Sequence, residues 1–365
     1  MYDIRQCTNA ESAIKYLAYD EPGIDRAFGG KGFEHLGIAA EDMDMRKFNQ
    51  LIRNQNPVTG ESLTPRNVDG RICGWYLTFS PPKDVTLLAQ FSPIGDKVRE
   101  ALREAGDYAM KRYVENKAQV RERKSTHADK TSANMMWVRL HHTLDRPEKI
   151  REPIEHIHNN THDLPPGTML QDRPHSIPKK NGNKYMTMPQ DHLHYFAINA
   201  SFDKNHHKGP RFVATKMRNA FWDSMQIKLK FHKRLRENLE MLGIETAGFG
   251  MKWKVPGIDR ATIDRFSIRR DAARKNNAMG VPRAFSGLVG RADKQPIEDL
   301  AALKFEWKKL LTPRDLACLR NITPDPKTGR RHHPGRERMR ILRFLRPRDP
   351  EIPKKEASDR GISIV

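Results

Sequence analysis

The stretch Pro189-Gln190-Asp191-His192-Leu193-His194-Tyr195-Phe196-Ala197-Ile198-Asn199 decides how the rest of the chain is read. It is apolar and aromatic, and of strand length. Side chains two apart on a strand point to one face, so His192 and His194 aim two imidazoles at one point. A divalent ion that keeps a position open for substrate takes about three protein ligands. Two of them are present here.

The nearest source of a third is Trp137-Val138-Arg139-Leu140-His141-His142, a second strand pattern over Met135–His142. With Val138 and Leu140 facing the core, His141 lies on the opposite face and His142 on the core side. His141 is the preferred ligand and His142 the fallback. His156-Ile157-His158 repeats the spacing inside Arg146–Gln190, a stretch of prolines, glycines and histidines read as an insertion, where these histidines are expected to be solvated. His206-His207 precede Lys208-Gly209-Pro210, a turn.

The charge indicates what such an ion would act on. The 365 residues carry 66 lysines and arginines against 45 acids, a formal net charge of +21, which favours a polyanionic partner such as nucleic acid. Cys7, Cys73 and Cys318 are scattered and odd in number, so no disulfide framework follows and a reducing compartment is expected. The N-terminus lacks the apolar core of a signal peptide, and the apolar runs fall short of the ~20 residues that span a bilayer. The expected protein is cytoplasmic, with no membrane insertion. No GxxxxGK[ST] phosphate loop occurs; Gly29-Gly30-Lys31-Gly32 has neither its spacing nor its hydroxyl.

Phosphodiester chemistry needs a nucleophile. No G-x-S-x-G spacing occurs, and the candidates are Tyr16 and Tyr19 in the short helix predicted over Ala13–Tyr19. Three apart on a helix, they share a face. A phenol can attack phosphorus and keep the bond energy as an ester; the plainer alternative is that both pack a surface helix.

Arg71–Ser80 alternates as a third strand, with Cys73, Trp75, Leu77 and Phe79 on one face and Tyr76, Thr78 and Ser80 on the other. Lys97–Arg123 and Lys216–Leu242 carry helical spacing. The expected fold is α+β, a central, mostly antiparallel sheet with flanking helices and a helical C-terminal region. Residues 1–275 form the main domain with an insertion at about 146–190, residues 276–328 a small helical region, and residues 329–365 a basic tail. That tail includes Arg330–Arg348, with eight arginines against one acid, Glu337. Trp75, Trp137, Tyr195, Phe221 and Trp222 are candidate platforms for stacked bases, Trp75 being the one expected in the core.

The order of these motifs resembles the MobF class of conjugative relaxases, the TrwC/TraI type, within the HUH endonucleases. The likeness runs from about residue 1 to 270. It rests on the tyrosine helix, Gly30-Lys31-Gly32, Leu36-Gly37, Leu77-Thr78-Phe79-Ser80-Pro81-Pro82-Lys83, His141-His142-Thr143, His192-Leu193-His194 with Asn199, the helix Phe231–Gly243, Gly257, and Phe266-Ser267-Ile268-Arg269-Arg270. The resemblance implies site- and strand-specific DNA nicking and rejoining, with Tyr16 as nucleophile and Tyr19 as a second tyrosine at closer spacing than is usual. It implies a divalent metal (Mg, Mn or Zn) on His141, His192 and His194. The implied partners are single-stranded DNA, an origin hairpin, accessory relaxosome proteins and a separate helicase, since no phosphate loop follows. A rolling-circle replication initiator shares the chemistry. One departure points to a third outcome, an origin-binding protein that cuts poorly: Tyr76 stands where the family has an aspartate, and Asp20, Asp84 and Asp191 are the carboxylates near the motifs that could substitute.

Overall fold

The computed structural model describes residues 2–18, 24–121, 129–132, 134–145, 148–149, 185–282 and 300–322. Five strands make the central sheet: β1 (Tyr2–Cys7), β2 (Asp25–Gly29), β3 (Gly74–Phe79), β4 (Trp137–Leu144) and β5 (Pro189–Ile198). Their order is β1-β3-β5-β4-β2, and every neighbouring pair is antiparallel. The two histidine strands therefore lie side by side in the middle, although they are far apart in sequence.

Both faces of the sheet are covered. The upper face carries Val138, Leu140, Phe196 and Ile198 against α1 (Ala10–Leu17) and α2 (Met45–Ile52). Asn9 caps α1 by accepting from the Ser12 amide at 2.8 Å, and Ala13 and Leu17 point into the core four residues apart. Arg53 grips Glu11 with two bonds of 2.8 and 2.9 Å, tying α2 to α1. Gly30, at φ 107°, lets the chain turn over the start of β4, where a Cβ would stand 2.3 Å from the Met135 carbonyl. Gly32 then donates its amide to that carbonyl at 2.8 Å. The Gly-Lys-Gly turn is thus a packing device on β4.

The lower face carries Leu77, Phe79, Trp137, Leu193, Tyr195 and Ala197 against α3 (Lys83–Phe91), α4 (Gly95–Ala109) and α5 (Ser224–Met241). Trp137 and Tyr195 are buried here, which removes them from the candidates for base stacking. The Trp137 indole donates to Glu115 at 2.9 Å and the Tyr195 hydroxyl to Asp107 at 2.8 Å, so each amphipathic ring has a polar partner inside. Beyond α5 come α6 (Arg260–Arg265), α7 (Ile268–Ala278), α8 (Leu300–Lys308) and α9 (Pro313–Asn321). Leu303, Trp307, Leu310, Leu311 and Leu319 join the same lower core, and a buried Arg265–Asp315 pair ties α6 to α9. The helix expected over Lys97–Arg123 is instead α4 followed by a π-turn, Met110–Val114. Among the described residues no helix is long and apolar enough to cross a membrane.

Candidate metal and tyrosine site

Register decides which histidines meet. In the β4–β5 pair, His142 stands opposite His192 and Leu140 opposite His194, so those four side chains share the upper face. The three imidazole rings form a triangle: centroids are 5.3 Å apart for His142–His192, 5.0 Å for His142–His194 and 4.8 Å for His192–His194. His141 is opposite Leu193 and points through the lower face, with Nε2 2.9 Å from Asp191 Oδ1. The preference for His141 is corrected here: the histidine that joins the pair is His142. Alternation puts the two histidines on opposite faces, as observed, but does not say which face is wet. With both faces packed, the core side is where the other two histidines also point.

The surroundings orient the rings. The Gln190 carbonyl can only accept, so His192 Nδ1, 2.7 Å away, carries the proton. His194 Nδ1 lies 3.1 Å from the Thr78 hydroxyl, which can donate or accept and so orients that ring without setting its tautomer. Thr78 faces His194 across the β3–β5 pair. The sequence put Thr78 on the face of Tyr76 but gave no sign of this role, because β3–β5 pairing is not local.

Three imidazoles anchored on neighbouring strands suit a borderline cation such as zinc or copper, and leave room for further oxygen ligands. As they stand, no three His, Cys, Asp or Glu groups among the described residues are drawn into a closed coordination set. The three rings nevertheless lie within 4.8–5.3 Å of one another on adjacent strands, which is the donor set a borderline cation would draw on.

Tyr16 approaches this triangle from α1. Its ring is edge-on to His194 at 5.9 Å and edge-on to Tyr76 at 5.3 Å. Burial and, after it, Cys7 push the Tyr76 phenol well above its ordinary range, so Tyr76 is no proton acceptor near neutral pH. Of the carboxylates suggested as substitutes, Asp191 lies below the sheet with His141 and Arg99. Asp84 accepts from the amides of Val85 and Val255 at 2.9 and 2.6 Å and is engaged there. Asp20 and Tyr19 lie outside the described residues, as do His156, His158 and the basic tail. The start of β5 is held by Lys83, whose ammonium donates to the Pro189 carbonyl at 2.7 Å. Burial brings Lys83 down to about 8.

A tyrosine edge-on to His194, one of three clustered strand-borne imidazoles, on an antiparallel sheet of this order, fits the class of relaxases. The solved structures agree at the level of fold. A conjugative relaxase TrwC in complex with OriT DNA, in a metal-free and a metal-bound structure, matches with a TM-score of 0.63 at 21% identity, over 85% of this chain and 97% of that one. TrwC with a 27-mer DNA comprising the recognition hairpin and the cleavage site matches with 0.63 at 21%, over 87% and 99%. No curated protein matches by sequence. The TrwC relaxase family model covers residues 4–165 and 180–313, and the chain belongs to that family.

Proposed function

We propose that this protein nicks and rejoins one strand of DNA at an origin, with Tyr16 as nucleophile, to start transfer of a plasmid or other mobile element. The observation that carries the reading is the convergence of His142, His192 and His194 beside the Tyr16 ring. The Tyr16 oxygen forms a bond to phosphorus as the P–O3′ bond breaks. The phenol proton passes to solvent or a base, and the leaving 3′ oxygen takes a proton. The products are a 3′-hydroxyl and a 5′-phosphotyrosyl ester, whose retained energy allows reversal. A divalent cation held by His142, His192 and His194 supplies Lewis acidity at a phosphoryl oxygen when bound. The β4–β5 register holds the three imidazoles, Gln190 and Thr78 fix the rings of His192 and His194, and α1 brings the phenol to their edge. Tyr19 is proposed as a second tyrosine for a later strand transfer.

On this reading the substrate is single-stranded DNA with an adjoining hairpin. This is the kind of ligand carried by the TrwC complexes. Accessory relaxosome proteins and a separate helicase are proposed partners, and the cytoplasm is the proposed compartment, in keeping with three free thiols. Residues 1–275 would carry the chemistry, 276–328 brace it and 329–365 form a basic arm. A covalent-adduct assay tests the reading: an origin oligonucleotide should give a metal-dependent band of slowed protein, lost in Tyr16→Phe. Binding with no adduct under any divalent metal would leave an origin-binding protein, the reading that Tyr76 in place of the family's carboxylate favours.

A further inference from the structure

The outer surface of α5 is unlike the rest of the molecule. Nine large hydrophobic side chains are exposed among the described residues, and four of them, Phe221, Trp222, Met225 and Phe249, lie at the start of this helix or on the hairpin beside it. Phe221 and Trp222 belong to the short helix Arg218–Trp222. Asp223 does not break the path: its amide bonds to the Asn219 carbonyl, and its own carbonyl accepts from Ile227, so helical register runs on into α5. Trp222, Gln226, Leu229, Lys233 and Arg236 then fall on one stripe at helical spacing. A groove of about 510 Å³ runs along it from Gln226 to Glu240, closed on one side by the Gly248-Phe249-Gly250 tip.

Charge says what fits there. Ser224–Met241 holds five lysines and arginines against two glutamates. The Arg218 guanidinium sits 4.1 Å from the Trp222 ring, a cation held at a stacking face. Exposed aromatic faces beside cations are what single-stranded nucleic acid uses: bases stack on the rings and phosphates meet the cations. An apolar protein surface would be expected to carry fewer charges through its centre. From Trp222 to Arg236 the stripe is about 21 Å long, enough for a few nucleotides.

We propose that this stripe is a second track for single-stranded DNA, separate from the tyrosine site and on the other side of the sheet. It would hold a stretch of the strand without reading its sequence. The proposal rests on DNA being the substrate, and the test separates the two. Trp75, Trp137, Trp253 and Trp307 are buried and Trp222 is 63% exposed, so quenching of intrinsic tryptophan fluorescence reports on this stripe. Oligo(dT), which lacks any origin sequence, should quench that fluorescence, and the quench should vanish in Trp222→Phe. Trp222→Ala should weaken oligo(dT) binding about 5- to 150-fold, the range of one lost stacked base. Lys233→Gln should reduce the salt dependence of log K by about 0.7, one phosphate contact. Single-turnover adduct formation on a short oligonucleotide confined to the nick site should be unchanged in both alanine and glutamine variants. Oligo(dT) that binds without quenching, or with equal affinity in Trp222→Ala, overturns the track while leaving the tyrosine chemistry standing. So does a dimer of the wild type that Trp222→Ala dissociates, which would assign the stripe to a second copy of the chain. Circular dichroism of each variant guards against misfolding.

Discussion

His141 and His142 are adjacent in sequence and both buried, yet they face opposite sides of the sheet and meet different partners. The upper of the two joins two other imidazoles next to a phenol. The lower one is 2% exposed and locked to a carboxylate, within a layer where nearly every charge is paired. Arg99 also reaches Asp191 at 3.3 Å, and Arg139 is clamped between Asp107 and Asp25. One sheet thus gathers three imidazoles and a phenol on one side and buried ion pairs on the other. The difference teaches that neighbouring titratable residues on one strand can belong to separate clusters, each set by the strands packed alongside.

The largest effect that sharpens the contrast is at the pair itself. His142→Ala should abolish metal-dependent adduct formation with little loss of stability. His141→Ala should keep the chemistry and cost about 1–3 kcal/mol, since it removes one of the two partners of the buried Asp191 carboxylate and leaves Arg99. Adduct assays and urea unfolding on both variants measure this, and equal activity loss in the two would erase the distinction between the faces. Arg139→Met should also cost about 1–3 kcal/mol in urea unfolding, since Asp107 keeps the Tyr195 hydroxyl and the half-exposed Asp25 keeps Arg103, without changing the metal dependence of cleavage. Thr78→Val removes the hydroxyl that orients His194 and should weaken metal affinity by about 10-fold, read by titration calorimetry, with stability nearly unchanged.

A smaller effect comes from Glu115 under Trp137. Burial raises its carboxyl to about 7. A group whose folded pKa is raised adds stability that is complete below the unfolded value, about 4.5, and lost as pH rises through about 7. The urea midpoint should therefore fall between these values, and Glu115→Gln should flatten that slope. An unchanged slope would mean that the lower layer does not hold this charge as buried as the structure has it.

Period-two alternation made the sheet, the His-x-His pair and the outward face of Thr78 legible, because a strand writes its two faces into consecutive residues. Helical spacing and composition made the Tyr16 helix a candidate. The third imidazole of the cluster was not legible. His141 and His142 are chemically identical, and their difference lies in which residues of β5 stand across from β4. That pairing joins segments separated by more than forty residues, including an insertion. The burial of Trp137 and Tyr195 was hidden for a related reason, since each lies on a face closed by helices distant in sequence. Phe221 and Trp222 kept their exposure because, among the described residues, nothing packs over the start of α5.

The double histidine has a hazard built into it. Were β4 to slide by one residue, His141 would swing up into the triangle and the cluster would look intact, yet every other side chain of the strand would change sides. Arg139 is what forbids this. A guanidinium wedged between two carboxylates cannot be moved up into the apolar layer of Val138 and Leu140, so it indexes the strand as a detent indexes a dial. An ion pair on the lower face thereby helps decide which imidazole faces upward.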